Sequence, residues 1–227
     1  MAGTELGVFV SFNDGDDWQS LQLNLPPTSN RDVAFKDNDL VVATHGRGFW
    51  VLDDISSLRQ AMEVAATSHL FKPGEAILYT QPTDDGTPTQ KDEAFAENPP
   101  TGAIIDYYLK ADATGPVVLE ILDGGGSLVR RYSSVDPAPP IDVNKLATNA
   151  IWQRVQETLA TGAGMHRIVW DFRPQPPAAS APRPGGGGGG GRGGAIPVLP
   201  GRYSVRLTVN GNRIVQPLTV KPDPRSR

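Results

Sequence analysis

The stretch Ser11-Phe12-Asn13-Asp14-Gly15-Asp16-Asp17-Trp18 gathers three carboxylates and a carboxamide around one glycine. Three chemistries compete for it. A calcium loop needs oxygen ligands at alternating positions and a closing glutamate, and no glutamate completes a twelve-residue loop here. Glycoside hydrolysis needs two carboxyls facing each other across a sugar, roughly 5 to 9 Å apart, whereas acids in one tight turn point outward together. That leaves a hairpin turn. In it Asn13 or Asp14 accepts nearby backbone N–H bonds, Gly15 takes positive φ and Trp18 packs beneath. No metal site and no catalytic residue is assigned to the stretch.

Thr44, His45 and Arg47 form the other polar group of interest, on a strand-to-strand turn beside Gly46 and Gly48. They are the candidate binding residues, with a local hydrogen-bond network as the competing reading. Asp53-Asp54 precedes a helix, where acids favour the N-terminal dipole, and Asp84-Asp85 lies in a polar stretch, so both pairs read as solvated. Strand alternation sets His166 and Trp170 on the face opposite Asp171. The serines lack a G-x-S-x-G elbow, and the glycine run has no following Lys-Ser/Thr, which excludes a nucleophile elbow and a phosphate loop.

The elements that hold these residues repeat. At an offset of 41 residues Ala2 falls on Ala43, Gly7 on Gly48, Phe9 on Trp50 and Val10 on Val51. "AGTELGVFVSF" and "ATHGRGFWVLD" both read as strand, Gly-containing turn and strand. Between them, Trp18–Leu23, Asp32–Lys36 and Leu40–Thr44 read as strands, giving about one four-stranded propeller blade. The counterpart of Leu40–Thr44 in the first copy would begin before Met1, so the expectation is the tail of a longer protein. A single blade leaves its faces to be covered by neighbours.

Ser11-x-Asn13-x-Gly15-x-x-Trp18 resembles the Asp-box pattern S-x-D-x-G-x-x-W, with Asn13 where aspartate is usual. With "VVATHGRGFWVLDD", Val41–Asp54, it resembles the last blade of sortilin-like, Asp-box (BNR-repeat) propeller proteins of bacteria, often labelled glycosyl hydrolases. The resemblance covers the first quarter of the chain. It implies that Ser11, Asn13, Gly15 and Trp18 are structural, that upstream propeller blades are partners, and that the parent is secreted or periplasmic. In the resembled sialidases the boxes lie on the rim, away from an arginine cluster drawn from several blades, of which only Arg47 is available here.

The remainder reads as a second domain. Ser57 and Gln60 form a capping box for a short connecting helix within 56–69. From 70 to 225, strands are expected at Ala76–Tyr79, Ala103–Lys110, Val117–Leu122, Ser127–Tyr132, Met165–Phe172, Tyr203–Val209 and Arg213–Val220, with a helix capped by Thr148 or Asn149. Asn210-Gly211 marks a hairpin, and Pro217 argues for an edge. About seven strands favour an immunoglobulin-like sandwich. Gln81–Thr101 reads as an exposed loop, and Pro174–Pro200, with seven consecutive glycines at Gly185–Gly191, as a disordered one. The expected fold is all-β: a truncated last propeller blade over 1–55, the connecting helix, then the sandwich.

Composition narrows the functions. A net charge of −4 with scattered basic residues gives no footprint for nucleic acid. No apolar run reaches the roughly 18 residues that span a bilayer. The absence of cysteine removes disulfides and thiol chemistry. The residues after Met1 carry no signal-peptide pattern. No cofactor is indicated. The expected role is a structural or binding module for protein or carbohydrate without a complete active site; the alternative is the accessory part of a sialidase-like glycoside hydrolase whose catalytic residues lie in upstream blades.

Overall fold

A computed structural model describes residues 1–63, 67–79, 99–136, 158–175 and 197–225. These residues are all-β, include a curled half-barrel sheet and contain no α-helix. The chain divides into two compact units, Met1–Thr67 and Ser68–Arg227.

In the first unit β1 (Ala2–Gly3), β2 (Val8–Val10) and β3 (Gln19–Ser20) make one antiparallel sheet in that order. A second sheet follows from β4 (Asn30–Lys36), β5 (Asp39–Thr44) and β6 (Phe49–Leu52). The single four-stranded blade expected from the sequence is thus two three-stranded sheets. Strand pairing shows how they correspond. Gly3 pairs with Val8 and Ala2 with Phe9, while Ala43 pairs with Phe49 and Val42 with Trp50. β1 therefore matches β5, and β2 matches β6. The offset is 41 after the turn (Val8 to Phe49) but 40 before it (Gly3 to Ala43), because Thr44–Gly48 is one residue longer than Thr4–Gly7.

The expected strand Trp18–Leu23 contracts to Gln19–Ser20. Leu23 has a φ of 45°, which breaks the extended run, and Leu25 closes a turn onto Gln22 before entering the core. Val8, Leu25, Leu40, Val42 and Ile55 form that core, with Val33, Trp50 and Leu52 packed on it. The connecting helix is a short 3-10 helix, Leu58–Glu63. The Arg59 N–H bonds to the Ile55 carbonyl, and the Gln60 side chain donates to Ser56 at 2.8 Å.

The second unit holds β7 (His69–Leu70), β8 (Ala76–Leu78), β9 (Ala103–Leu109), β10 (Val118–Leu122), β11 (Leu128–Ser133), β12 (Gly164–Trp170), β13 (Gly201–Val209) and β14 (Asn212–Pro222). They form a five-stranded sheet, β11-β10-β13-β14-β8, and a three-stranded sheet, β12-β9-β7. One buried cluster draws on both sheets, including Ile105, Leu109, Leu119, Ile121, Trp170, Val205 and Leu207. The hairpin at Asn210-Gly211 joins β13 to β14, with φ of 48° and 80° at the two turn residues. Pro217 sits opposite Ser204, where no second strand pairs with β14 among the described residues; β8 joins β14 in parallel only at Val220–Pro222. A missing N–H costs nothing in the ladder there.

Polar groups in this unit are paired across strands. Arg167 on β12 grips buried Asp106 on β9 with two bonds of 2.8 and 2.9 Å. Arg206 donates to Glu120 at 2.7 Å and holds that carboxyl below its usual range, against the opposing effect of partial burial. Burial pushes the phenols of Tyr107 and Tyr132 up to about 12. The helix expected after Thr148 or Asn149, most of the loop at Gln81–Thr101 and most of Pro174–Pro200 lie outside the described residues.

Candidate functional site

The acidic octapeptide connects β2 to β3 and closes on itself. Ser11 Oγ accepts the Gly15 N–H at 2.8 Å, and Asn13 Oδ1 accepts the Asp17 N–H at 2.9 Å. The Ser11 hydroxyl donates to Asn13 Oδ1 at 3.0 Å. Asn13 Nδ2 donates to the Asp17 carboxylate at 2.8 Å, and Trp18 Nε1 donates to the Gly15 carbonyl at 3.0 Å. Asp14 and Gly15 have φ of 60° and 103°, and a carboxylate-bearing residue and a glycine are suited to such positive values. The spacing S-x-N-x-G-x-x-W is therefore a hydrogen-bond circuit. Trp18 does not bury: it is 48% exposed and braces the turn through its ring nitrogen.

Trp50, the counterpart of Phe9, braces a different turn in a similar way, donating from Nε1 to the Arg47 carbonyl three residues earlier at 3.1 Å. The two hairpin turns also share their closure. Thr4 bonds the Gly7 carbonyl through its N–H and its hydroxyl, at 2.9 and 3.0 Å. Thr44 bonds the Gly48 carbonyl in the same two ways, at 3.1 and 2.7 Å. Each turn thus begins on a threonine and ends on a glycine.

Both turns are tied to one segment, Thr28-Ser29-Asn30. The Asn30 backbone N–H and Nδ2 both donate to the Thr4 carbonyl, at 2.9 and 3.0 Å. The His45 N–H donates to the Ser29 carbonyl at 2.8 Å, and the Thr28 hydroxyl donates to the His45 carbonyl at 3.3 Å. The turns of the two copies are thereby held at one end of the unit. Thr44 is half-buried there, while the side chains of His45 and Arg47 are exposed. The predicted binding residues come together on one turn, and the predicted structural residues occupy the β2–β3 connection.

Asn30 escaped the sequence reading, although this buried asparagine opening a strand is what fixes the Thr4–Gly7 turn. Its Oδ1 and the neighbouring Ser29 Oγ are buried without a hydrogen-bond partner. A polar residue just after the Pro26-Pro27 turn is the only trace of it in the sequence. His166, read as part of a packed face, stacks on Tyr107 with ring centroids 5.1 Å apart and donates from Nε2 to the Gly162 carbonyl at 2.6 Å; Asp171 is exposed. Among the described residues no three His, Asp or Glu side chains are grouped as metal ligands.

Comparison with protein-family models, curated proteins and solved structures finds no match for this chain.

Proposed function

We propose that the chain is the C-terminal portion of an exported Asp-box propeller protein. Its first unit is the last part of the propeller, its second an immunoglobulin-like accessory sandwich, and its role is a structural and binding module for protein or carbohydrate. One observation carries this reading: the Thr4–Gly7 and Thr44–Gly48 hairpins repeat the same register and the same double closure on glycine. A repeat conserved to individual hydrogen bonds is what a stacked array of one supersecondary unit requires.

Binding rather than catalysis is favoured by the spending of the acidic turn. Asn13 binds the Asp17 carboxylate and its backbone N–H, and the three acids share one tight turn instead of facing each other across a cleft. The exposed side chains of this turn are His45 and Arg47, beside half-buried Thr44, with Arg47 suited to a carboxylate or hydroxyl-rich ligand. Titration of the whole chain with a panel of sialylated and neutral oligosaccharides, followed by amide chemical shifts, tests this. Shifts are expected at 44–48, with loss on Arg47→Ala and no hydrolysis of an aryl sialoside. Turnover of the sialoside, or shifts confined to other surfaces, would contradict it.

A further inference from the structure

Basic residues that are scattered along the sequence come together on one face of the five-stranded sheet. Its core side is set by Leu119, Ile121, Val205, Leu207 and Leu218, so the residues that alternate with them point the other way. Register then builds the outer face row by row. Arg131 and Arg206 both stand opposite Glu120, and in the next row Arg213 stands opposite Thr208. Arg202, opposite Thr219, lies on the same face. The Arg206 hydrogen bond holds the Glu120 carboxyl below its usual range against partial burial, and the charges of Arg206, Arg131 and Arg213 act in the same direction. Three guanidinium groups therefore surround one carboxylate.

The acids here do not balance the bases. Glu120 accepts from Arg206, and Asp136 is bound by Arg131 at 3.2 and 3.3 Å, whereas exposed Arg202 and Arg213 have no carboxylate partner among the described residues. A local excess of positive charge thus sits on a chain of net charge −4. It forms a stripe along β13: Arg202, Ser204, Arg206 and Thr208 alternate outward over roughly 20 Å, with Arg213 beside the last of them. We infer that this stripe binds a linear polyuronate, an acidic polysaccharide. Guanidinium forks match carboxylates, and the half-buried hydroxyls of Ser204 and Thr208 between and beside them suit sugar hydroxyls. Nucleic acid fits less well, because Tyr132 and Tyr203 on these strands turn to the core side, where Tyr203 stacks on Trp170, and no aromatic ring in these rows is offered to a base.

The inference shares only its carbohydrate ligand class with the proposed function; it concerns the second unit and neither turn of the first. The test is titration of the whole chain with oligogalacturonate, followed by calorimetry and amide chemical shifts, with a neutral maltooligosaccharide of the same length as control. Binding that weakens as salt rises is expected, with shifts at 202–208 and 213–215 and none from the neutral sugar. Arg213→Glu and Arg202→Glu should each lower affinity at least about tenfold. Lys36→Glu makes the same change of charge in the first unit and should leave affinity within about twofold. All three side chains are exposed, and circular dichroism establishes that each variant is folded. Absence of binding, an equal loss in Lys36→Glu, or an oligothymidylate of the same charge binding as tightly would overturn the inference. Shifts confined to 44–48 would also overturn it while leaving the proposed function in place.

Discussion

Asn13 stands where the resembled pattern has aspartate, and the hydrogen bonds give the substitution a reason. Its Oδ1 accepts the Asp17 N–H as a carboxylate oxygen would, while its Nδ2 donates a hydrogen bond to the Asp17 carboxylate at 2.8 Å. An aspartate at 13 would set two carboxylates against each other. Asn13→Asp is therefore expected to destabilise the first unit by about 0.5–1 kcal/mol, the scale of an exposed polar pair. Asp17→Asn in that background should recover most of the loss, and denaturant melts of the four proteins in the cycle measure the coupling. A zero coupling energy would mean the two side chains do not act on each other.

The elements show which parts of the fold a sequence can carry. Hairpins announced by local chemistry, such as Asn210-Gly211 and the Gly-containing turns of the two copies, appear where their residues place them. The division of one expected blade into two sheets was not legible, because it depends on which strands pair at a distance. An ungapped comparison at 41 residues also hid the extra residue in the Thr44–Gly48 turn. Trp18 was expected beneath its turn, and its ring nitrogen instead found the Gly15 carbonyl at the surface. Of the candidate site, the exposed turn residues were readable from their type; the Thr28–Asn30 tie was not, since its bonds cross 26 and 17 residues.

Close approach of the sheets makes a prediction at this scale. A methyl group on Gly3 would meet Val33 Cγ2 at 2.9 Å and Asn30 Cβ at 3.2 Å. Gly3→Ala should cost about 1–3 kcal/mol by overpacking, whereas the equivalent position in the second copy already carries Ala43 on an open face. Thermal melts should therefore separate Gly3→Ala from Ala43→Val, which is expected to change stability by less than about 0.5 kcal/mol.

At the scale of the molecule, the two copies of the repeat differ in one respect: Val8 and Val10 are buried in the first, whereas Phe49 and Val51 on the equivalent face of the second are exposed. The chain contains no cysteine, so a single introduced thiol reports one position without background. Val10 and Val51 are equivalent in the repeat, at 5% and 55% exposure. In dilute solution, where chains are apart, Val10→Cys is expected to react with a neutral disulfide reagent at least about tenfold more slowly than Val51→Cys, because buried sites react only through local opening. Folded variants with equal labelling rates would contradict the packing of one repeat on the next.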